Sequence, residues 1–122
     1  MFRVPQFEKP VAWIGSSYRD LLNFPSATRR EIGFLLGLVQ NGGTPADFKP
    51  VEQVGAGTYE LRVVTNEGGR IAHRVFFVAK FPEAVYVLHA FQKKTRATSK
   101  HDIGVGRDRY KDLLRHRRKL AE

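Results

Sequence analysis

Three strand-like runs follow one another in the second half of the chain, joined only by short turn signals. Thr58 to Thr65 is a β-branched and aromatic run with alternation. Arg70 to Phe81 forms a returning run, and Val85 to Gln92 returns again. Asn66-Glu-Gly-Gly69 reads as a hairpin turn. Phe81-Pro-Glu-Ala84 is a second tight turn, with proline at its favoured position. Three consecutive strands connected in this way make an antiparallel meander.

The first third reads differently. Val11-Ala-Trp-Ile14 is a short strand ending at Gly15. Ser16 or Ser17 offers a helix cap, with Asp20 as a weak capping-box partner. Tyr18, Leu21 and Leu22 form one face of a short helix that stops before Pro25. A second helix starts at Ser26. Its Ile32, Leu35, Leu36 and Val39 recur at the spacing of a buried helical stripe. Asn41-Gly-Gly43 ends it. Residues 44–57 read as a loop with an extended piece from Phe48 to Val54. After the meander, Ser99-Lys-His-Asp102 has the pattern of a helix start, and Ile103, Tyr110, Leu113 and Leu114 are placed to face inward. The predicted fold is α+β: an N-terminal helical hairpin, a twisted antiparallel sheet of about four strands, and a C-terminal helix. Residues 1–122 form one domain, with a core over roughly 11–115 and a basic tail over 115–122.

Composition narrows the function. No cysteine is present, which excludes disulfides and thiolate metal sites. No apolar run is long enough to span a membrane, and the start lacks a secretory h-region. The expected location is therefore the cytoplasm. The net charge of +9 is unevenly placed. Residues 1–61 hold six Lys/Arg against six Asp/Glu, whereas residues 62–122 hold fifteen against six. A basic half of this kind favours a polyanionic partner.

Strand alternation suggests where the cations go. If Leu61 and Leu88 face the helices, Arg62 and His89 face away. On the middle strand Ile71, His73, Val75 and Phe77 look like the core set, so Arg74 joins Arg62 on the open face. That face then collects Arg62, Arg74, His89, Phe91 and Lys93. His73 belongs to the core side, and His101 and His116 read as surface. Trp13, Phe76 and Phe77 are read as packing.

This set has the parts for cleaving RNA without a metal. The reaction needs a base for the 2′-hydroxyl, positive charge at the phosphorane, and an acid for the leaving 5′-oxygen. Arginine forks suit phosphate oxygens. A histidine titrates near neutrality, and a lysine among cations can have its pKa lowered. An aromatic can stack on a base. The same residue types would also make a plain binding patch. No Asp/Glu cluster suggests a two-metal nuclease, and no phosphate-binding glycine fingerprint is present.

The residues Tyr59-Glu-Leu-Arg62, Arg74-Val-Phe-Phe77, Leu88-His-Ala-Phe-Gln-Lys-Lys-Thr95 and Thr98-Ser-Lys100 resemble the phage-related HigB-like branch of the RelE/HigB toxin superfamily. The resemblance covers about residues 11–115 and implies a RelE-like fold. It implies the toxin of a type II toxin–antitoxin pair, a metal-independent endoribonuclease acting on mRNA in the ribosomal A site, with no cofactor. It implies a small helix-turn-helix antitoxin as partner, through which operator DNA is bound. Carried over by motif, Arg62 and Arg74 would hold the scissile phosphate and His89 would serve catalysis. Lys93, Lys94, Phe91 and Arg96 would contact RNA or ribosome. The alternatives are a non-catalytic nucleic-acid-binding module and a gyrase-directed toxin of the same fold.

Overall fold

A computed structural model of the chain describes residues 8–66, 70–93 and 98–122. The order of elements is β1 (Val11–Trp13), α1 (Ser17–Leu22), α2 (Ser26–Gln40), β2 (Phe48–Pro50), β3 (Thr58–Thr65), β4 (Ile71–Val78), β5 (Val85–Lys93) and α3 (Lys100–Ala121). The strands form one five-stranded sheet in the order β1-β5-β4-β3-β2. The meander is its centre, with β3, β4 and β5 paired antiparallel. Two short strands widen the three-stranded meander to five, one more than the four expected. β2 is antiparallel on β3, and β1 lies parallel on β5, Val11 opposite Val85. The extended piece expected from Phe48 to Val54 stops at Pro50. Val51 N–H still donates to Thr58 O at 2.9 Å, and the chain then turns back on itself through Val54 N–H to Val51 O.

Helices cover both faces of the sheet. On one side, α1 and α2 bury Leu21, Ile32, Leu36 and Val39 against Leu61, Val63, Val75, Phe77, Val85 and Val87. On the other, Ile103 and Leu113 of α3 pack on Phe76, Val78, Tyr86, Leu88 and Phe91. Leu61 and Leu88 therefore face opposite layers, not one shared layer. Each fully buried aliphatic side chain contributes about 1.5–3 kcal/mol, so neither layer is dispensable. Phe76 and Phe77 divide between the layers, as adjacent residues of a doubly covered strand must. Leu114 is exposed, against expectation. The inward stripe of α3 runs through Ile103, Gly106 and Leu113, and Leu114, one residue on, is turned about 100° away from Leu113.

One irregularity governs the sheet. Phe76 is opposite His89, but Phe77 is opposite Val87, which leaves Leu88 as an extra residue. Leu88 packs under α3, and His89 bonds to Asp102 of the same helix. Two consecutive residues thus turn to the α3 side, and strand parity is reset. Before the bulge Val85 and Val87 face α2; after it Ala90 does. The simple alternation that would place Val85, Val87, His89, Phe91 and Lys93 on one face fails for the first two and holds for the last three.

Local capping follows the sequence in part. Ser99 caps α3, its Oγ accepting from Asp102 N–H at 3.1 Å. Asn41 closes α2, and Gly42 takes φ +82° in the turn that follows. Ser16 precedes α1, but its hydroxyl donates to Asp20 Oδ2 at 2.7 Å and caps no backbone group.

The α3 helix is held close to the sheet. At Gly106 an added Cβ would lie 3.0 Å from both Phe76 and Val54. Arg109 donates to Leu88 O at 3.0 Å and to Ser16 Oγ at 2.7 Å. The tail expected beyond 115 remains helical to Ala121, and Arg117 grips Glu83 at 2.7 Å while lying 3.7 Å over the Phe81 ring. Glycine positions in α3 separate packing from propensity. Gly106→Val should destabilise by about 1–3 kcal/mol through overpacking. Gly104→Ala, where a Cβ meets nothing within 4 Å, should stabilise by up to about 1 kcal/mol. Urea unfolding of both variants checks the pair.

Candidate functional site

The α3-facing side of the sheet gathers the cations. Arg62 and Arg74 are direct cross-strand partners, so both side chains leave the same face. Phe91 is opposite Arg74 and Lys93 is opposite Ala72, which adds both to that face. Lys49 of β2 pairs with Glu60 and joins from the far edge. Arg62, Arg74, His89, Phe91 and Lys93 are therefore on one side, as strand parity predicts for the arginines and as the bulge arranges for the rest. Lys94 and Arg96 fall outside the described residues, as do residues 67–69 of the predicted 66–69 turn.

Glu60 is the anion at the centre of this cluster. Its side chain is fully buried and accepts from Arg74 Nη1 at 3.0 Å, with Lys49 Nζ at 3.5 Å. The pair leaves Arg74 itself only 8% exposed. Arg62 is more open, and among the described residues its one ion pair is with exposed Asp47 at 3.8 Å. An exposed pair that long contributes about 1 kcal/mol at most, so Arg62 is available to another anion. Lys93 is buried among these groups. Burial first, and then the Arg74 guanidinium, hold its ammonium below the ordinary lysine value.

His89 lies at the other end of the face. Its Nε2 is 2.7 Å from Asp102 Oδ1, and its ring lies parallel to Phe91 with centroids 4.6 Å apart. Burial pulls its pKa down, and the Asp102 carboxylate opposes that without reversing it. Its Nδ1 is buried and has no hydrogen-bond partner among the described residues. Phe91 is buried between His89 and Phe76, the latter ring 5.0 Å away. One face is given to the imidazole, so Phe91 orients the histidine and offers no open platform to a base. A cleft of about 450 Å³ opens beside Lys49, lined also by Val51, Gln53, Thr98 and Ile103. Lys49 is the residue of the cluster that lines it, and Glu52 stands in the same wall.

Sequence reading alone misses three of these residues. Glu60 stands on the same strand face as Arg62, two residues away, and its burial comes only from the sheet. Lys49 is brought in by the β2–β3 register. Asp102 is legible as a helix-start residue, but its reach to a histidine 13 residues earlier is tertiary. His73 is buried on the α2 side against Phe24, centroids 4.5 Å apart, and His101 and His116 are exposed. Among the described residues no group of three or more His, Asp or Glu side chains is placed to hold a metal ion. No helix among them is long and apolar enough to cross a membrane.

The architecture defines a small α+β protein with one strongly cationic sheet face beneath its last helix. The sequence profile of the phage-derived protein Gp49-like family (DUF891) matches residues 19–111, which include every residue of the cluster. The protein belongs to that family. No curated protein matches the chain.

Two outcomes check the electrostatics. Glu60→Ala should cost about 3–5 kcal/mol, because it leaves the Arg74 charge buried and unpaired. Replacing both partners, Glu60→Leu with Arg74→Met, should recover much of that loss in urea titrations. The buried histidines set an acid dependence. Burial lowers the pKa of both His73 and His89 below the usual value of 6.5. The unfolded chain then binds more protons than the folded one just below pH 6.5, so stability is complete above that pH and declines as pH falls. His73→Phe should flatten the drop in unfolding free energy between about pH 7.5 and 5.5. An unchanged slope would assign the acid sensitivity to other groups.

Proposed function

We propose that the protein is the toxin of a type II toxin–antitoxin pair and cleaves mRNA on the ribosome. The observation that carries the reading is the convergence of Arg62, Arg74, His89 and Lys93 on one sheet face, with a histidine held against Asp102 at one end and a lysine buried beside the arginines at the other. Membership of a phage-derived family agrees with it, and so does the resemblance of the strand motifs to RelE/HigB toxins.

The chemistry divides among these groups. Arg62 and Arg74 neutralise the non-bridging oxygens of the phosphate as charge builds in the phosphorane. His89 takes the 2′-hydroxyl proton, the 2′-oxygen bonds to phosphorus, and the bond from phosphorus to the 5′-oxygen breaks. The Lys93 ammonium gives that oxygen its proton. The products are a 2′,3′-cyclic phosphate and a 5′-hydroxyl. A neighbouring base occupies the cleft beside Lys49, since the Phe91 face is taken. The partner implied is a helix-turn-helix antitoxin that masks the cationic face and binds the operator.

A second reading is favoured by the burial of Arg74 and His89. A face so closed suits a non-catalytic module that binds nucleic acid through Arg62 and the exposed cations of α3. Growth and mRNA 5′ ends, followed together after induction, separate the two. Arg62→Ala is the better probe than Arg74→Ala, because Arg74 is also held by buried Glu60. Arrest with new 5′ ends in translated message, lost in Arg62→Ala while the protein stays folded, is the expected result. A rate loss of about 10²–10³-fold corresponds to one removed phosphate-stabilising group. No arrest from soluble wild-type protein would leave the binding module standing. Arrest without cuts would point to another target, such as gyrase.

A further inference from the structure

The start of α3 reaches back to the sheet in a way that the cationic cluster does not require. Asp102 is the third residue of α3 after its Ser99 cap. One of its carboxylate oxygens, Oδ2, accepts from the Ser99 hydroxyl at 2.6 Å, and Ser99 Oγ in turn accepts from the Asp102 N–H at 3.1 Å. The other oxygen, Oδ1, faces His89 Nε2 at 2.7 Å. A carboxylate in the first turn of a helix is favoured in its charged form by the helix dipole. A charged carboxylate only accepts hydrogen bonds. His89 Nε2 must therefore carry the hydrogen, and in the neutral ring the lone pair is on Nδ1.

The ring has little freedom to choose otherwise. Phe91 lies parallel to it at 17°, and Phe76 closes another side with centroids 5.9 Å apart. The His89 side chain is 9% exposed. Its Nδ1 is buried and has no partner among the described residues. Leaving a buried nitrogen unsatisfied is costly, and such groups in folded proteins call for a reason. The charged groups that act on the ring are Asp102 and Arg109 from α3 and Asp20 from α1, and of these Asp102 alone is hydrogen-bonded to it.

We propose that Asp102, held by Ser99, is the positioning residue of the site: it fixes His89 in the Nε2–H form and leaves Nδ1 as the proton acceptor for the 2′-hydroxyl. The catalytic half of this assignment rests on the ribonuclease reading above. The tautomer does not, and it can be read without any substrate. When Nδ1 takes the proton the ring becomes an imidazolium, and the Asp102 carboxylate stabilises it through the Nε2–H. The proton goes no further than the imidazole.

The test uses the full chain with 15N-labelled histidine. In wild type at pH 7.5 to 8, the His89 ring nitrogens should show the Nε2–H tautomer. Asp102→Asn keeps the shape but can donate as well as accept, so the tautomers should mix. Removing the carboxylate also removes what raises the proton affinity of His89, so the acid limb of the pH–rate profile for cleavage of ribosome-bound message should move to lower pH. The kcat should fall by roughly tenfold or more, part of the about 10²–10⁴ that a positioned base contributes, with KM nearly unchanged. Ser99→Ala should move the same readouts less far, and Asp102→Glu should restore the limb in part. An Nδ1–H tautomer in wild type would overturn the proposal. So would a tautomer and an acid limb that stay put in Asp102→Asn. The expected tautomer shift in a wild-type protein that cuts no message would uphold the positioning role and sink the ribonuclease reading alone.

Discussion

The extra residue at Leu88 sets which side of the sheet every later residue of β5 faces. Without it, β5 would continue its alternation and carry His89, Phe91 and Lys93 to the α2 side with Val85 and Val87. The bulge turns them to the side that already holds Arg62 and Arg74. It also breaks the hydrogen-bond ladder, and the freed Leu88 carbonyl is satisfied by Arg109 of α3. The same helix supplies Asp102 to His89. The bulge, the helix that caps it and the histidine that it aims are thus one assembly. Bulges commonly re-aim side chains beside a functional site, and here the redirected set begins with a histidine.

The cationic face is stabilised in an unusual balance. Glu60 is fully buried and holds Arg74, so two charges lie where water cannot screen them. Buried pairs of this type rarely add stability over an apolar pair of equal volume. Their presence points to a use for the guanidinium in a fixed orientation. Arg62 is the more accessible of the two arginines and meets solvent on the same face. The site therefore joins one pinned cation, one accessible cation and one lysine whose charge is disfavoured by burial first and then by the Arg74 guanidinium.

Much of this was legible beforehand. The meander, the two N-terminal helices and the long last helix follow from hydrophobic period and turn residues. The shared face of Arg62 and Arg74 follows from alternation within two regular strands joined by a short turn. His73 was readable as core for the same reason. Alternation alone misplaces Val85 and Val87 because it does not register the extra residue at Leu88, and it does not reveal that the sheet is covered on both faces. Leu61 and Leu88 both belong to the core, but to different layers, and a β-run that is apolar on both faces cannot say which. Phe91 looked like a stacking surface because its burial under α3 is a contact between distant segments.

The sequence by itself determined the element types, the antiparallel meander and the concentration of positive charge in the second half, because these depend on periods and turn chemistry within a few residues. The tertiary structure alone decided three things: that α3 covers the face opposite α1 and α2, that His89 turns toward Asp102, and that Glu60 is sealed beneath Arg74. Each depends on which residues from separate segments exclude water from one another. That is a property of packing and register, and a single inserted residue in one strand is enough to change it.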